Sequence, residues 1–474
     1  MFRLRRRSLA AVLPTAILMA CQAAPPPDVD DDGAFFPPTN RPEVRGTRGA
    51  VSAGHPLAAQ VGLGVLQDGG NAVEAAVAMA AVLAVVRPHM NGVGGDAFVF
   101  VYEGASAEVH ALNGSGRSGA LATPEFFTDQ GLDAVPEKGA RAVSVPGAVA
   151  AWVDVHTRFG SKPFGQLLEP AIGYARDGFP VSTRLASDFR AQGGDLNEAA
   201  RALYLPGGEP PEVGTLLRNP ALAETLELIA SQGKAGFYQG PVADRLGVFI
   251  EAEGGHVRPA DLAAHTSTWV EPLRGTYRDH DILVFPPNTQ GIAQLQLFEM
   301  SKAFDINAMC INTSSYLHTL VELKKISFAD RNRWAADPEK AVIPVDDLLE
   351  EGYLADRARL VNPLAAAELV APGIGGTEAA GLDEADDSGD TVYLTAVDQW
   401  GNAVSWIQSL FAGFGSGLLE PETGIMLHNR GALYTLEPGH PNEVAPDKRP
   451  YHTLSPMMAL RGGELSFTLG TPGG

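Results

Sequence analysis

The sequence is poor in cysteine and in positive charge, and after its first twenty residues it has no long apolar run. Two cysteines in 474 residues exclude a fold held together by several disulfides, so stability must come from the core. The 35 basic residues stand against 56 acidic ones, a net charge of −21, which disfavours a surface for nucleic-acid phosphates. No later apolar run is long enough for a membrane span. These absences favour small-molecule chemistry.

The first twenty residues, MFRLRRRSLAAVLPTAILMA, place arginines before a short apolar run, the layout of a secretory signal peptide. The run ends in Leu-Met-Ala-Cys, which resembles a bacterial lipobox and makes Cys21 a candidate lipid anchor; the alternative is secretion without lipid. Residues 21–45 are rich in Pro and Asp and suit a solvated tether. We therefore expect an exported protein, periplasmic or at the cell surface.

The compact part begins near Gly49 with helical patterns. Asn71 and Glu74 form a capping-box pattern before an Ala/Val helix that is apolar almost all round, which predicts a buried helix. The glycine cluster NGVGG that follows lacks the Lys-Ser/Thr of a phosphate-binding loop. Further helical patterns continue to about Trp334, and no repeat period is present. The texture changes at Thr391, where TVYLTAVDQWGNAVSWIQSL predicts a β-hairpin.

Thr391 stands between the acidic, Gly-rich tract EADDSGD and this hairpin. A threonine hydroxyl can be a nucleophile if a base takes its proton. Its own α-amino group becomes such a base once the Asp390–Thr391 peptide bond is cut, because a free α-amine has a reference pKa near 8. On spacing alone this hypothesis is weak, since Asp-Thr before a strand is common.

Several further segments strengthen it, because together and in order they resemble the γ-glutamyltransferase family of N-terminal-nucleophile hydrolases. The matching stretches extend from about Gly49 to Gly474 and include GGNAVEAAVA, NGVGGDAFVFVY, SVPGAVAAW, EPAIGYARDGFPVS, PPNTQGIAQLQ, KKISFADRNRW, GIMLHNRG, KRPYHTLSP and TLGTPGG. The resemblance implies an α+β fold, a four-layer αββα sandwich. It also implies a proenzyme that cuts itself before Thr391 into a helix-rich large subunit (46–390) and a small catalytic subunit (from 391) that stay associated.

The resemblance further implies that Thr391 attacks a γ-glutamyl amide, as in glutathione, and passes the acyl group to water, an amino acid or a peptide. No metal or organic cofactor is implied. Ser409 falls where the family has a hydroxyl that hydrogen-bonds the nucleophile and assists processing. Gly473 and Gly474 match the pair whose backbone N–H groups form the oxyanion hole, where a side chain would obstruct the substrate.

The substrate-binding positions depart from the family pattern. Arg117 is the candidate for the donor carboxylate, with a surface or structural role as the alternative. At the two positions where the family has a Ser-Ser pair, this sequence has His452 and Thr453. His452 is either a substrate contact or a packed, turn-capping histidine. Phe411 stands at the position of an Asn and Leu433 at that of an Asp, which removes an acidic partner for an ammonium group.

Three hypotheses follow. The first is a γ-glutamyl hydrolase and transferase, the second an acylase of the same fold for glutaryl-type amides, and the third an inactive exported binding protein or fragment. The third is kept because family small subunits continue for on the order of a hundred residues past the Gly-Gly pair, whereas the sequence given stops there. We therefore expect residues 391–474 to be the start of a small subunit in an incomplete sequence. A carboxylate on Gly474 would oppose the negative charge that develops in catalysis.

Overall fold

The computed structural model describes residues 45–376 and 389–471. The strands among them are β1 (Gly49–Ala53), β2 (Asp96–Glu103), β3 (Glu108–Gly114), β4 (Phe179–Pro180), β5 (Leu216–Leu217), β6 (Thr268–Val270), β7 (Leu273–Tyr277), β8 (His280–Val284), β9 (Gly389–Asp398), β10 (Ala403–Ala412), β11 (Leu419–Glu420), β12 (Ile425–Met426), β13 (Met457–Arg461) and β14 (Glu464–Leu469). Those outside the two larger sheets form two short pairs, β4 with β5 and β11 with β12.

The helices described are α1 (Pro56–Gln67), α2 (Ala72–Val86), α3 (Pro124–Thr128), α4 (Ala148–Phe159), α5 (Phe164–Asp177), α6 (Thr183–Gln192), α7 (Glu198–Tyr204), α8 (Pro220–Gln232), α9 (Ala235–Tyr238), α10 (Gly240–Ala252), α11 (Pro259–Ala263), α12 (Gly291–Ser301), α13 (Ser314–Trp334), α14 (Val345–Leu348) and α15 (Glu351–Ala358). Within the described ranges, none of them combines the length and the apolar character needed to cross a bilayer.

Two antiparallel sheets form the centre of the molecule. The larger has the strand order β1-β9-β10-β2-β3-β6, and the smaller has the order β14-β13-β8-β7. The predicted hairpin is confirmed as β9 and β10, which pair from Ala403 opposite Val397. It lies inside the larger sheet, because β1 pairs with the free edge of β9 and β2 with that of β10.

Helices cover the outer face of each sheet. On the larger sheet the cover includes α2, whose residues are all buried, as its all-round apolar pattern predicts. Asn71 and Glu74 form the predicted capping box at its start. On the smaller sheet the cover is α12, with α13 packed against it. The four layers are therefore helix, sheet, sheet and helix, which confirms the αββα prediction.

The hydrophobic core is divided by the sheets. Val99, Leu394 and Trp406 face α2 and its neighbours, whereas Phe98 and Ile407 face the smaller sheet. Side chains alternate along a strand, so Thr391, two residues before Tyr393, shares the face of Tyr393, which packs against the core between the sheets. The predicted nucleophile therefore lies at one end of that interior.

Candidate active site

Thr391 and Ser409 meet across a β-bulge. Val392 of β9 pairs with Gln408 of β10, and Asp390 pairs with Phe411, so two residues of β10 lie opposite Thr391 alone. The bulge brings the hydroxyls together, and Thr391 Oγ1 donates to Ser409 Oγ at 3.1 Å. Both side chains are buried, and the hydrogen bond fixes the direction of the threonine hydroxyl.

Ser409 Oγ also accepts a hydrogen bond from the backbone N–H of Phe411 at 2.7 Å. Phe411 has a φ of 83°, a left-handed conformation that a bulky residue adopts only at a cost of about 1–3 kcal/mol. This unusual turn of the backbone points the N–H of Phe411 back toward the serine. The bulge thus holds Ser409 in place from both sides.

A buried carboxylate lies next in the sheet. Asp96 pairs in register with Ser409, and its side chain has no exposed surface. Its Oδ1 accepts from the backbone N–H groups of Gly116 at 3.1 Å and Gly147 at 3.0 Å. A Cβ at Gly147 would lie 1.9 Å from the carbonyl oxygen of Gly114, so glycine is required for this close approach.

Two histidines face the other oxygen of Asp96. Its Oδ2 lies 3.1 Å from His452 Nε2 and 3.5 Å from His428 Nδ1. Burial by itself acts to raise the pKa of the Asp96 carboxyl, but His428, His452 and the nearby Arg430 outweigh it, and the pKa lies well below its ordinary value. Asp96 is therefore ionised at neutral pH.

His452 is a packed histidine in this structure. Its Nε2 contacts Asp96 Oδ2, its Nδ1 accepts from the backbone N–H of Leu454 at 3.2 Å, and the side chain has no exposed surface. Burial lowers its pKa to about 3, so the ring is neutral at neutral pH. With both nitrogens engaged, His452 has no group left for a substrate or for the threonine proton, which favours the turn-capping alternative over the predicted substrate contact.

Arg117 lies close to this cluster in sequence, but its guanidinium turns away. Its Nη2 lies 2.8 Å from Glu339 Oε2, and its Nε lies 3.7 Å from Asp447 Oδ1. Both acids are partly exposed, with 45% and 73% of their side-chain surfaces accessible. This geometry fits the structural alternative for Arg117, and its predicted contact with the donor carboxylate has no support in it.

Arg430 is a site residue that the sequence analysis missed. It begins the short 3-10 helix Arg430–Leu433 and is fully buried. Its Nη1 donates to Thr453 Oγ1 at 2.8 Å, and its guanidinium carbon lies 4.5 Å from the centre of the Phe411 ring. Burial lowers its pKa to about 10, and Asp96 opposes that effect, so it is charged at neutral pH. The available signal was a single arginine in the segment GIMLHNRG, which has no other Lys, Arg, Asp or Glu.

The remaining predicted positions divide into two groups. Thr453 is close to the site through its contact with Arg430, and its carbonyl accepts from Gln290 Nε2 at 2.6 Å. Leu433 is partly buried at the end of the same 3-10 helix. Cys21, Gly473 and Gly474 lie outside the described residues, so the lipid anchor and the oxyanion glycines stay predictions.

The sequence matches the model of one protein family, Gamma-glutamyltranspeptidase, over residues 58–474. It is 37% identical to the "Glutathione hydrolase-like YwrD proenzyme" of Bacillus subtilis (strain 168), over 91% of this chain and 80% of that protein. It is 33% identical to the glutathione hydrolase proenzyme of the same organism, over 90% of this chain and 76% of that protein. Among solved structures, a cephalosporin acylase from Bacillus halodurans superposes with a TM-score of 0.80 at 33% identity, covering 92% of this chain and 80% of that one.

Proposed function

Because the chain belongs to the γ-glutamyltranspeptidase family, we propose that Thr391 is both the residue that cuts the precursor and the nucleophile of the enzyme that results. The observation that carries this proposal is the hydrogen bond between Thr391 Oγ1 and Ser409 Oγ within the interior of the larger sheet. Ser409 fixes the threonine hydroxyl beside the peptide bond that joins Asp390 to Thr391.

In self-cleavage, Thr391 Oγ attacks the carbonyl carbon of Asp390, and the peptide C–N bond breaks as the C–O ester bond forms. The proton from the hydroxyl ends on the released α-amine. Water then hydrolyses the ester, which leaves a carboxylate on Asp390 and a free amine on Thr391. Both nitrogens of the neutral His452 ring are already engaged, which argues against His452 as the base and supports the α-amine in that role for later turnovers.

In each turnover the α-amine takes the hydroxyl proton, Oγ attacks the substrate amide carbonyl, and the amine returns the proton to the leaving nitrogen. The acyl-enzyme ester then passes its acyl group to water or to the amino group of an amino acid or peptide. The substrate class is a γ-glutamyl amide such as glutathione, and the backbone N–H groups of Gly473 and Gly474 stabilise the oxyanion.

A second candidate acyl group is glutaryl, which lacks the α-ammonium of γ-glutamyl. Phe411 and Leu433 offer no charge to an ammonium, and the nearby Asp96 carboxylate is buried and already engaged by Gly116, Gly147 and His452. Overall similarity does not decide between the two, because the chain is 33% identical both to a glutathione hydrolase and to a cephalosporin acylase.

The test uses purified full-length protein, wild type and Thr391→Ala, on a denaturing gel and with the p-nitroanilides of γ-glutamate and glutarate. We expect two fragments and anilide release from the wild type, and one intact band without release from the variant. An intact wild-type band would contradict the proposal. The ratio of the two anilide rates decides between the acyl groups.

We also propose that the protein is exported and anchored by lipid on Cys21, supported by the arginine-led apolar segment and the Leu-Met-Ala-Cys sequence that ends it. Cells fed a radiolabelled fatty acid test this. The wild type should incorporate label and Cys21→Ser should not, and an unlabelled wild type would contradict the anchor.

A further inference from the structure

Arg430 is a buried cation with too few partners. Its side chain has no exposed surface, and its one hydrogen bond within the described residues joins Nη1 to Thr453 Oγ1. Its Nε and Nη2 are buried and have no hydrogen-bond partner. No carboxylate lies within ion-pair distance of its guanidinium in the part of the chain that the structure describes.

Such an arrangement is costly for the protein alone. A buried guanidinium loses its hydration, and each N–H without an acceptor adds to that loss. Asp96 supplies only a more distant field, because its own oxygens are engaged by Gly116, Gly147 and His452. Two free N–H groups of one guanidinium, Nε and Nη2, present the fork that a carboxylate accepts with two parallel hydrogen bonds.

This fork is connected to the nucleophile by a short series of contacts. The guanidinium stacks on the Phe411 ring, the N–H of Phe411 binds Ser409 Oγ, and Ser409 Oγ binds Thr391 Oγ1. The guanidinium is thus linked to the attacking oxygen through two residues of β10, Phe411 and Ser409.

The route to Arg430 depends on the cleavage. Gly389 and Asp390 of β9 pair with Ala412 and Phe411 of β10, so the chain before Thr391 lies along the residue on which Arg430 stacks. After a cut at Asp390–Thr391, these two residues are the only part of β9 that belongs to the large subunit. Departure of these two residues from β9 after the cut would free the backbone position opposite Phe411 for a substrate.

We propose that Arg430 binds the free carboxylate of the acyl donor, so that the enzyme acts on monoamides of short dicarboxylic acids. The proposal rests on the function proposed above for Thr391. Nε and Nη2 of Arg430 hold the carboxylate, Thr453 fixes the third nitrogen, and the Phe411 ring supports the guanidinium plane. The donor carboxylate supplies the negative partner that the Arg430 guanidinium lacks in the precursor. Arg430 is then the specificity-determining residue, a role for which the family resemblance makes Arg117 the candidate.

The test compares self-cleaved wild type with Arg430→Met, a neutral side chain of similar length. Arg117→Met is the matched control, since its guanidinium has carboxylate partners already. Two anilides of equal chain length are used: glutaryl, which carries the carboxylate, and valeryl, which lacks it. We expect Arg430→Met to lower kcat/KM for the glutaryl anilide by about 10- to 100-fold and to leave the valeryl anilide within threefold. An equal loss on both anilides would overturn the proposal.

A binding measurement separates this proposal from the proposed reaction. Free glutarate should raise the Tm of wild type and of Arg117→Met, and should leave the Tm of Arg430→Met unchanged. The same shift in all three proteins, or in none, would overturn the carboxylate site. If the wild type hydrolyses no anilide yet glutarate raises its Tm through Arg430, the reaction is wrong and the carboxylate site stands.

Arg430→Lys serves if the methionine variant does not fold. Lysine keeps the charge but lacks the planar fork, so we expect at least a tenfold loss in the ratio of glutaryl to valeryl rates. A ratio equal to that of the wild type would overturn the proposal.

Discussion

Thr391 Oγ1 donates a hydrogen bond of 3.1 Å to Ser409 Oγ because a bulge in β10 places two residues opposite one on β9. Ser409→Ala should slow self-cleavage about tenfold, since a lost hydrogen bond of this kind is worth about 1 kcal/mol and the threonine rotamer is freed. The rate is measured as loss of the precursor band on a denaturing gel. Thr395→Val, which removes a hydroxyl bound to Thr468 elsewhere in the fold, should cleave at the wild-type rate.

The acyl-donor preference should respond to Phe411 and Leu433. Phe411→Asn with Leu433→Asp introduces an amide and a carboxylate that can bind an ammonium group, and Asn tolerates positive φ better than Phe. We expect the ratio of γ-glutamyl to glutaryl kcat/KM to rise at least tenfold in the double variant. Phe411→Leu with Leu433→Asn, which adds no charge, is the control. An unchanged ratio in the first variant would place donor discrimination elsewhere.

Arg117 should matter little for the substrate. Its ion pairs with Glu339 and Asp447 are partly exposed, and such pairs contribute about 1 kcal/mol or less. Arg117→Gln should therefore lower the Tm by a few degrees at most and leave KM within twofold of the wild type. A tenfold rise in KM would restore Arg117 to the substrate site.

Asp96 should be essential for stability. Asp96→Asn keeps an oxygen for the two backbone N–H groups but turns an amide NH2 toward His452 Nε2, and leaving that buried ring N–H without an acceptor costs about 1–3 kcal/mol. Urea unfolding of the precursor form, in the Thr391→Ala background, measures the loss. Asp447→Asn, at an exposed carboxylate, should differ from its parent by less than about 1 kcal/mol.

Acid should destabilise the protein through its buried histidines. Burial lowers the pKa of His256 to about 4 and those of His265 and His452 to about 3, whereas the unfolded chain titrates near 6.5. Below pH 6.5 the unfolded state binds more protons than the folded state, so stability falls as pH falls. The loss continues down to the folded pKa values.

These three groups alone contribute a slope of up to about 4 kcal/mol per pH unit between pH 6 and pH 4, and the buried His89 and His428, whose pKa values burial also lowers, add to it. The free energy of unfolding in urea, measured at half-unit steps of pH, checks it. Replacing His265, whose ring nitrogens have no hydrogen-bond partner among the described residues, with Gln should reduce the slope by up to about 1.4 kcal/mol per pH unit. A flat profile over this range would contradict the assignment of neutral buried rings.

The sequence predicts best what depends on neighbouring residues. The buried helix α2 follows from its capping box and its apolar pattern, and the β9–β10 hairpin from alternation around a turn. The position of Thr391 before a strand gave only a weak local indication, and the family resemblance made it the candidate nucleophile. The prediction of four αββα layers rested on the family resemblance and not on local patterns.

The site residues that were missed depend on distant partners. Asp96 is 20 residues from Gly116 but 356 from His452, and no local pattern predicts that these residues share a buried cluster. Arg117 and Arg430 look alike in the sequence, because neither has a charged residue directly beside it. The fold distinguishes them. Arg117 lies against the carboxylate of Glu339, whereas Arg430 lies over the ring of Phe411.

Cleavage before Thr391 would divide both sheets between two chains. In the larger sheet β9 and β10 would belong to one product, and β1 and β2, which flank them, to the other. In the smaller sheet the boundary would fall between β13 and β8. The fold would therefore form from one chain but consist of two chains after the cut. Refolding of the mature form after denaturation would then be a second-order process, which slows on dilution. The precursor would refold at a rate independent of concentration. A mature enzyme that unfolds at low concentration would therefore regain its structure much more slowly than the precursor does.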